Sequence, residues 1–355
     1  MRRIRTAFCW FLVLGIALSG ACMAPAVNQV AFSEAVAHQK RGDRERARQA
    51  YARMVQENIR TVGLENNRAV LDLGDGNWDA ALRRLGEELR ETPDLVAAQA
   101  NRLFALFLVE ERREEALAAA RQVKNQQKSS PGVQLAAGIV LLSSPKDWQQ
   151  ASQLLTRLTE TGEPKIRAHA HYALGLALGK RGQWKDAVMQ FRAHTLLERN
   201  VSAHYNRALL LAKLNRLADA LSETHVALSL DSNNVDARHL QALVLMRLGN
   251  WSMADAAAKA ALAVDPKRAG LYLVAGHVKL QMADWGGAIR DFQQESKNSP
   301  TSTAAWFNLG VAHCHERAWQ QAITAFQKVM ELDPMDRQAA ENLRIVRELE
   351  GVREL

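Results

Sequence analysis

Ala304-Ala305-Trp306-Phe307-Asn308-Leu309-Gly310, followed by Ala322, Phe326 and Asp333-Pro334, is the stretch that decides the fold. Thirty-four places upstream stand Tyr272, Gly276, Ala288, Phe292 and Pro300 in the same relation. One step further come Ala242, Ala254, Ala261 and Pro266, and before them Ala208, Ala220 and Ala227. Leu174-Gly175, Ala187 and Phe191 form a unit one residue short. Earlier units are more degenerate: Gly42, Ala47 and Tyr51; then Ala69, Ala81 and Pro93; then Ala116; then Gly138 with Ala151, which carries an extra residue in its turn. Nine units result, beginning near 28, 62, 97, 131, 168, 201, 235, 269 and 303, and those from 201 to 336 keep a strict step of 34. A fixed period of this length means one supersecondary unit stacked many times. Small residues at the eighth and twentieth places let two helix axes approach, and a larger side chain at the twenty-fourth closes over its neighbour. Pro266, Pro300 and Pro334 end the second helix of their units.

Composition agrees. Of 355 residues 48% are apolar, only 6% are aromatic, and Gly (20) and Pro (8) are scarce. That is a helical chain with enough apolar content for a core, which excludes a β-sandwich, a collagen-like chain and a disordered protein. Three cysteines exclude a disulfide framework. The units occupy nearly all of residues 28–336, so a separate catalytic domain has no room.

The spacing of Trp306, Leu309, Gly310, Ala322, Phe326 and Pro334 resembles the tetratricopeptide repeat, a 34-residue helix–turn–helix unit. The resemblance implies an all-α, right-handed superhelical solenoid of antiparallel helix pairs. After Pro334, Ala339, Leu343, Val346 and Leu349 mark a polar-backed capping helix, with a tail, over 337–355. A stack of repeats needs such a cover for its last face. Trp78, Trp148, Trp184, Trp251, Trp285 and Trp319 share one place in the turn between helices, so they read as scaffold rather than as a carbohydrate site.

Residues 1–21 have the layout of a bacterial export signal: Arg2, Arg3 and Arg5, then an apolar run from Phe8 to Leu18 too short to span a bilayer. Leu18-Ser19-Gly20-Ala21-Cys22 resembles a lipobox, with Ser19 where a large aliphatic residue is usual. Lipidation at Cys22 is the expectation, residues 22–27 then forming a short tether; a plain cleavage near Ala24-Pro25-Ala26 is the alternative. Loss of the signal leaves 43 basic against 38 acidic residues, and the net charge falls from +8 to +5. An exported chain so weakly basic is not expected to bind nucleic acid. Cys314, between His313 and His315, is then the one free thiol and reads as a small buried hydrophobe.

The motifs of chemistry are missing: no Gly-rich phosphate loop, His-Glu-x-x-His, Cys-x-x-Cys or Gly-x-Ser-x-Gly is present. His169/His171 and His313/His315 are two apart, which points their rings to different helix faces. No cofactor, metal or small-molecule substrate is expected, and the chain reads as non-enzymatic.

What remains is the inner surface, which in tetratricopeptide arrays is lined by the second, fifth, ninth, twelfth and thirteenth places of the first helix. The fifth place reads Tyr172, Tyr205, His239, Leu273 and Phe307, and the thirteenth supplies Lys180, Lys213 and Arg247. Rings beside cations suit an extended peptide with acidic and apolar side chains; packing between units and helix-dipole compensation are the alternatives. Asn67, Asn206 and Asn308 at the sixth place stand where a ligand backbone could be bonded, although not in adjacent units. The chain resembles bacterial outer-membrane tetratricopeptide lipoproteins of the type IV and Tad pilus assembly (pilotin-like) kind. That implies a scaffold held by its lipid at the periplasmic face of the outer membrane, assisting a pilus or secretion apparatus through protein partners. A periplasmic chaperone or adaptor for an extended polypeptide such as an apocytochrome or pilin is the alternative, as is a regulator of peptidoglycan enzymes.

Overall fold

A computed structural model describes residues 26–125 and 129–353, and among these all regular structure is helical. The export signal, Cys22 and the tether up to Pro25 lie outside the described residues. Among the described residues, nineteen α-helices follow one another in sequential antiparallel pairs. The pairs are α1 (Ala26–Lys40) with α2 (Arg44–Gln56), α3 (Leu64–Asp75) with α4 (Trp78–Glu91), α5 (Val96–Leu108) with α6 (Arg113–Asn125), and α7 (Pro131–Leu141) with α8 (Trp148–Thr161). Next are α9 (Pro164–Lys180), α10 (Trp184–Leu197), the pair α11 (Val201–Lys213) and α12 (Leu217–Leu230), and the pair α13 (Val235–Arg247) and α14 (Trp251–Val264). Then come α15 (Leu271–Gln281) with α16 (Trp285–Asn298), α17 (Thr303–His315) with α18 (Trp319–Leu332), and a lone last helix α19 (Arg337–Arg353). The six recurrent tryptophans each open a second helix, at its first residue.

The corner between paired helices has one recurring cause. The fifteenth place of a unit takes a left-handed backbone, which glycine adopts freely: Gly182 and Gly249 have φ 76°. Asn215, Ala283 and Arg317 hold φ 60°, 58° and 56° at the same place without that freedom. The following amide then reaches five residues back to close the helix, as Asp284 N does to Lys279 O at 2.9 Å.

First helices start on side-chain caps where one is available: Asn200, Asn234 and Ser302 accept from the amides of Ala203, Ala237 and Ala305. α3 and α15 start after Gly63 and Gly270, which have no side chain to offer. A glutamate twenty-five residues later supplies the acceptor. The Glu88 carboxylate takes the amides of Gly63 (2.8 Å), Glu65 (3.0 Å) and Asn66 (3.2 Å), and Glu295 takes that of Gly270 at 2.8 Å.

Pairing within a unit rests on the expected size exchange. A Cβ on Gly276 would lie 2.5 Å from the Phe292 ring, one on Gly310 2.8 Å from Phe326, and one on Gly138 2.8 Å from Leu155. Where the eighth place is Ala242, the facing twenty-fourth place shrinks to Ala258, and both are fully buried.

The chain divides after Arg181 into two compact units; the first holds α1–α9 and Leu196–Glu198, the second the remainder. In the first, a continuous apolar core runs from Ala69 to Leu174. At its centre α7 is buried on every side, from Gly132 through Leu141 except at Gln134, because the first helices α5 and α7 pack directly along each other. In the second, the core is a series of smaller clusters, around Ala258 and Val274, around Phe292, and around Phe326 and Val346. α19 packs on α18 and closes the last of them.

Candidate functional site

The two units differ most at the places expected to face a groove. In the first unit the fifth place is interior from the second repeat onward: Asn66 is 1% exposed, Asn101 and Leu135 are wholly buried, and Tyr172 is 7% exposed, whereas Phe32 in the first repeat is half-buried. The ninth place is closed at Val70, Ala105 and Ile139 and half-buried at Val36 and Leu176. Tyr172 and Asn67 therefore depart from the sequence expectation. Direct packing of α5 on α7 covers this face at Asn101 and Leu135.

Asn67 instead belongs to an internal polar chain. Tyr51 donates to Gln39 Oε1 at 2.7 Å, Asn66 Nδ2 to Asn67 Oδ1 at 3.3 Å, and Asn101 Nδ2 to Asn66 Oδ1 at 2.9 Å. Burial pushes the Tyr51 phenol well above its ordinary pKa, and a hydrogen bond with Asn67 partly offsets this. Buried amides that bond one another in this way are core members.

In the second unit the same places stay accessible. Tyr205, His239, Leu273 and Phe307 at the fifth place, and Leu209, Leu243, His277 and Val311 at the ninth, are all half-buried. The Phe307 ring meets Phe326 edge-on at 5.6 Å, so one of its faces is committed to the core. Around the first two rings lie charges. Arg268 pairs with Asp236, burial and then Asp236 raise the Tyr205 phenol, and burial and then Arg268 hold the His239 imidazole below its ordinary value. His239 is thus a neutral ring at neutral pH, able to stack or to share one hydrogen bond.

The thirteenth-place cations have structural partners. Lys213 Nζ stands 5.4 Å from the centre of the Trp184 ring. Where the preceding turn carries Leu217 in place of tryptophan, Arg247 donates to Ala212 O at 2.8 Å and to Asn215 Oδ1 at 2.9 Å, closing the end of α11. Lys180 is exposed at the end of α9, beside Arg181, whose guanidinium lies 4.4 Å from the Trp148 ring centre. His315 completes the series by stacking on Trp285 at 4.0 Å, nearly parallel. Trp184 and Trp285 are thus seats for the thirteenth-place side chains of the next repeat, Lys213 and His315. The sequence held this signal in two period-34 columns, which pair only once the stacking is seen.

Of the sixth-place asparagines in the second unit, Asn308 donates to Ala304 O of its own helix at 2.7 Å, and Asn206 is half-buried on α11. Trp306 donates from its indole to Pro300 O at 3.0 Å, tying the start of α17 to the preceding turn. Cys314 sits half-buried at the twelfth place, its thiol pushed up by burial and so a poor nucleophile. Among the described residues no group of three His, Cys, Asp or Glu side chains could hold a metal, and no helix is long and apolar enough to cross a membrane.

Comparison with known proteins fits this picture. Residues 172–224 and 273–336 match the family model of the tetratricopeptide repeat, so those stretches are repeats of a class that serves as protein–protein interaction scaffolds. No curated protein matches the chain. Among solved structures it is similar to the APC/C hetero-tetramer Cut9–Hcn1, at 14% identity over 84% of this chain and 59% of that one, with a TM-score of 0.53. It is also similar to YrrB, described as a TPR protein with an unusual peptide-binding site (16% identity, 54% of this chain, 97% of that one, TM-score 0.46). A third is MamA from residue 41 to its end, of Desulfovibrio magneticus RS-1 (20% identity, 48% and 97%, TM-score 0.45). The likeness to Cut9–Hcn1 extends the helix-pair fold over most of the chain.

Proposed function

We propose that this chain is a non-enzymatic scaffold that takes a polypeptide partner on the inner face of its second unit. The observation that carries the reading is the contrast at the fifth and ninth places. They are closed along α3, α5 and α7 of the first unit and half-open, largely apolar and ring-bearing in the second. Surface of this kind, with charged groups at its margin, is what a recognition face requires. Tyr205→Ala combined with His239→Ala is expected to weaken capture of the cellular partner at least about tenfold with unchanged helicity. Unchanged capture would assign the rings to packing alone.

The setting we propose is the bacterial envelope, with a lipid on Cys22 holding the scaffold at the periplasmic face of the outer membrane. There it would assist assembly of a pilus or secretion apparatus. The support is the order of Arg2, Arg3, Arg5, the apolar run and Cys22 in the sequence. Cys22→Ser is expected to move the protein from the membrane to the soluble fraction; unchanged fractionation would remove the anchor.

A further inference from the structure

The first repeat, α1 with α2, joins its neighbour through a seam that is only partly apolar. Ala35, Ala47, Tyr51 and Met54 pack with Leu64 and Leu71 of α3 as a small core of their own. Ala69, Val70 and Leu73, on the same helix, belong instead to the large core that runs on to Leu174. α3 is therefore a boundary between two apolar clusters. Beside it the connection over 57–63 leaves a cavity of about 740 Å³, with Val55, Ile59 and Val62 on one side and Glu87 and Glu91 of α4 on the other. Val55 is 44% exposed, and the Arg60–Glu91 pair, at 3.5 Å, is exposed at both ends.

Charge supplies what apolar contact leaves undone. Arg44 of α2 donates to Gly74 O and to Asp75, each at 3.4 Å, and Arg48 pairs with Asp75 and, at 3.7 Å, with Asp72. Burial and then the charge of Arg48 lower the Arg44 guanidinium, so the two cations crowd each other and Asp75 holds both. Pairs that are partly exposed in this way are screened by salt.

The far side of the seam needs none of these bonds. Asp72 keeps Arg84 at 2.8 Å, Asn67 keeps Asn66, and α3 starts on Glu88 of its own repeat. Tyr51 likewise keeps Gln39 within the first repeat. Separation therefore leaves no buried charge of α3 unpaired, which is the event that makes breaking a buried ion pair costly. A helix pair without a neighbour cannot hide its apolar stripe, so α1 and α2 lose their structure as they leave.

We propose that the first repeat is an ionically latched flap: it opens as one body when salt screens Arg44 and Arg48 from Asp72 and Asp75, while the helices from α3 onward stay folded. Opening uncovers Leu64 and Leu71, so the array gains an apolar end that its closed form hides. The device is independent of any partner on the second unit.

The test is native-state amide exchange of the purified protein, read by mass spectrometry. Between about 0.05 M and about 0.5 M sodium chloride, α1 and α2 should come to exchange about fivefold faster, both to the same extent, while α5 and α7 do not change. Asp75→Asn should give about the same acceleration already at low salt and remove most of the further response. Asp219→Asn, which breaks the Arg216–Asp219 pair much later in the chain, should leave α1 and α2 as they were. An exchange rate in α1 and α2 that ignores salt in the unchanged protein would overturn the proposal. So would acceleration that extends through α3 and α4, acceleration confined to the ends of α1 and α2, or an Asp75→Asn protein that keeps the full salt response.

Discussion

At the residue scale, the repeat is a contract about volume. Gly276 exists because the Phe292 ring occupies the space of a Cβ, 2.5 Å from where one would be. Gly276→Ala should therefore destabilise the protein by about 1–3 kcal/mol, the usual cost of overfilling a packed core, as a lower urea midpoint. Joining it to Phe292→Ala should recover part of what Phe292→Ala alone loses, because the pair then copies Ala242 and Ala258 one unit earlier. A strictly additive double variant would show that the two positions do not share one space. The same volume logic separates structural rings from available ones: Phe307 spends one face on Phe326, while Tyr205 and His239 stand among Asp236, Arg268 and Glu295.

At the element scale, helices are joined by charge as well as by apolar contact. Asp147, just before α8, accepts two hydrogen bonds from Arg121 of α6, at 2.9 and 2.7 Å. Those bonds, with a further one from Ser144, hold its carboxyl down at about 2. The unfolded chain binds that proton near pH 3.9, so the pair's contribution is fully present above that value. It is lost as pH falls through about 2. The stability difference between the protein and Arg121→Ala should accordingly be constant from pH 7 to pH 5 and shrink between pH 4 and pH 2. A difference that does not change with acid would mean that Arg121 contributes packing and no charge. Three helix junctions elsewhere use the tryptophan that opens a second helix as a platform, for Arg181, Lys213 and His315. Cations that seemed to await a ligand are in this way tied to the scaffold.

At the scale of the whole molecule, each unit has its own kind of interior. The first is built around a helix buried on all sides, α7, within one apolar core from Ala69 to Leu174, beside a smaller cluster around Tyr51. The second is a succession of local clusters, each shared between neighbouring repeats. Local clusters open locally, whereas a continuous core opens as one body. Native-state hydrogen exchange should therefore find the amides of α5 and α7 the most protected, with those of α17 and α19 exchanging through smaller openings. Equal protection throughout would argue that the second unit is as cooperative as the first. Openness and rigidity are thereby divided: a surface left half-open is one that its own core does not fill.

The period, the pairing of helices and the residues that must be small were all legible in the amino-acid sequence, because each depends on contacts within 34 residues that recur unit after unit. The size exchange between Gly310 and Phe326 can be read from spacing alone. So can the helix starts at Asn200, Asn234 and Ser302, whose caps are local. What spacing could not decide was which units leave their inner places open. Tyr172 and Tyr205 occupy the same place of consecutive repeats, yet one is interior and the other half-exposed, since the side chains that cover that place come from other repeats. Nor could spacing tell a free cation from one seated on the previous repeat's tryptophan, or see that Glu88 completes a helix start twenty-five residues away. Those outcomes belong to tertiary packing, where the environment of a side chain is set by neighbours that its own repeat does not contain.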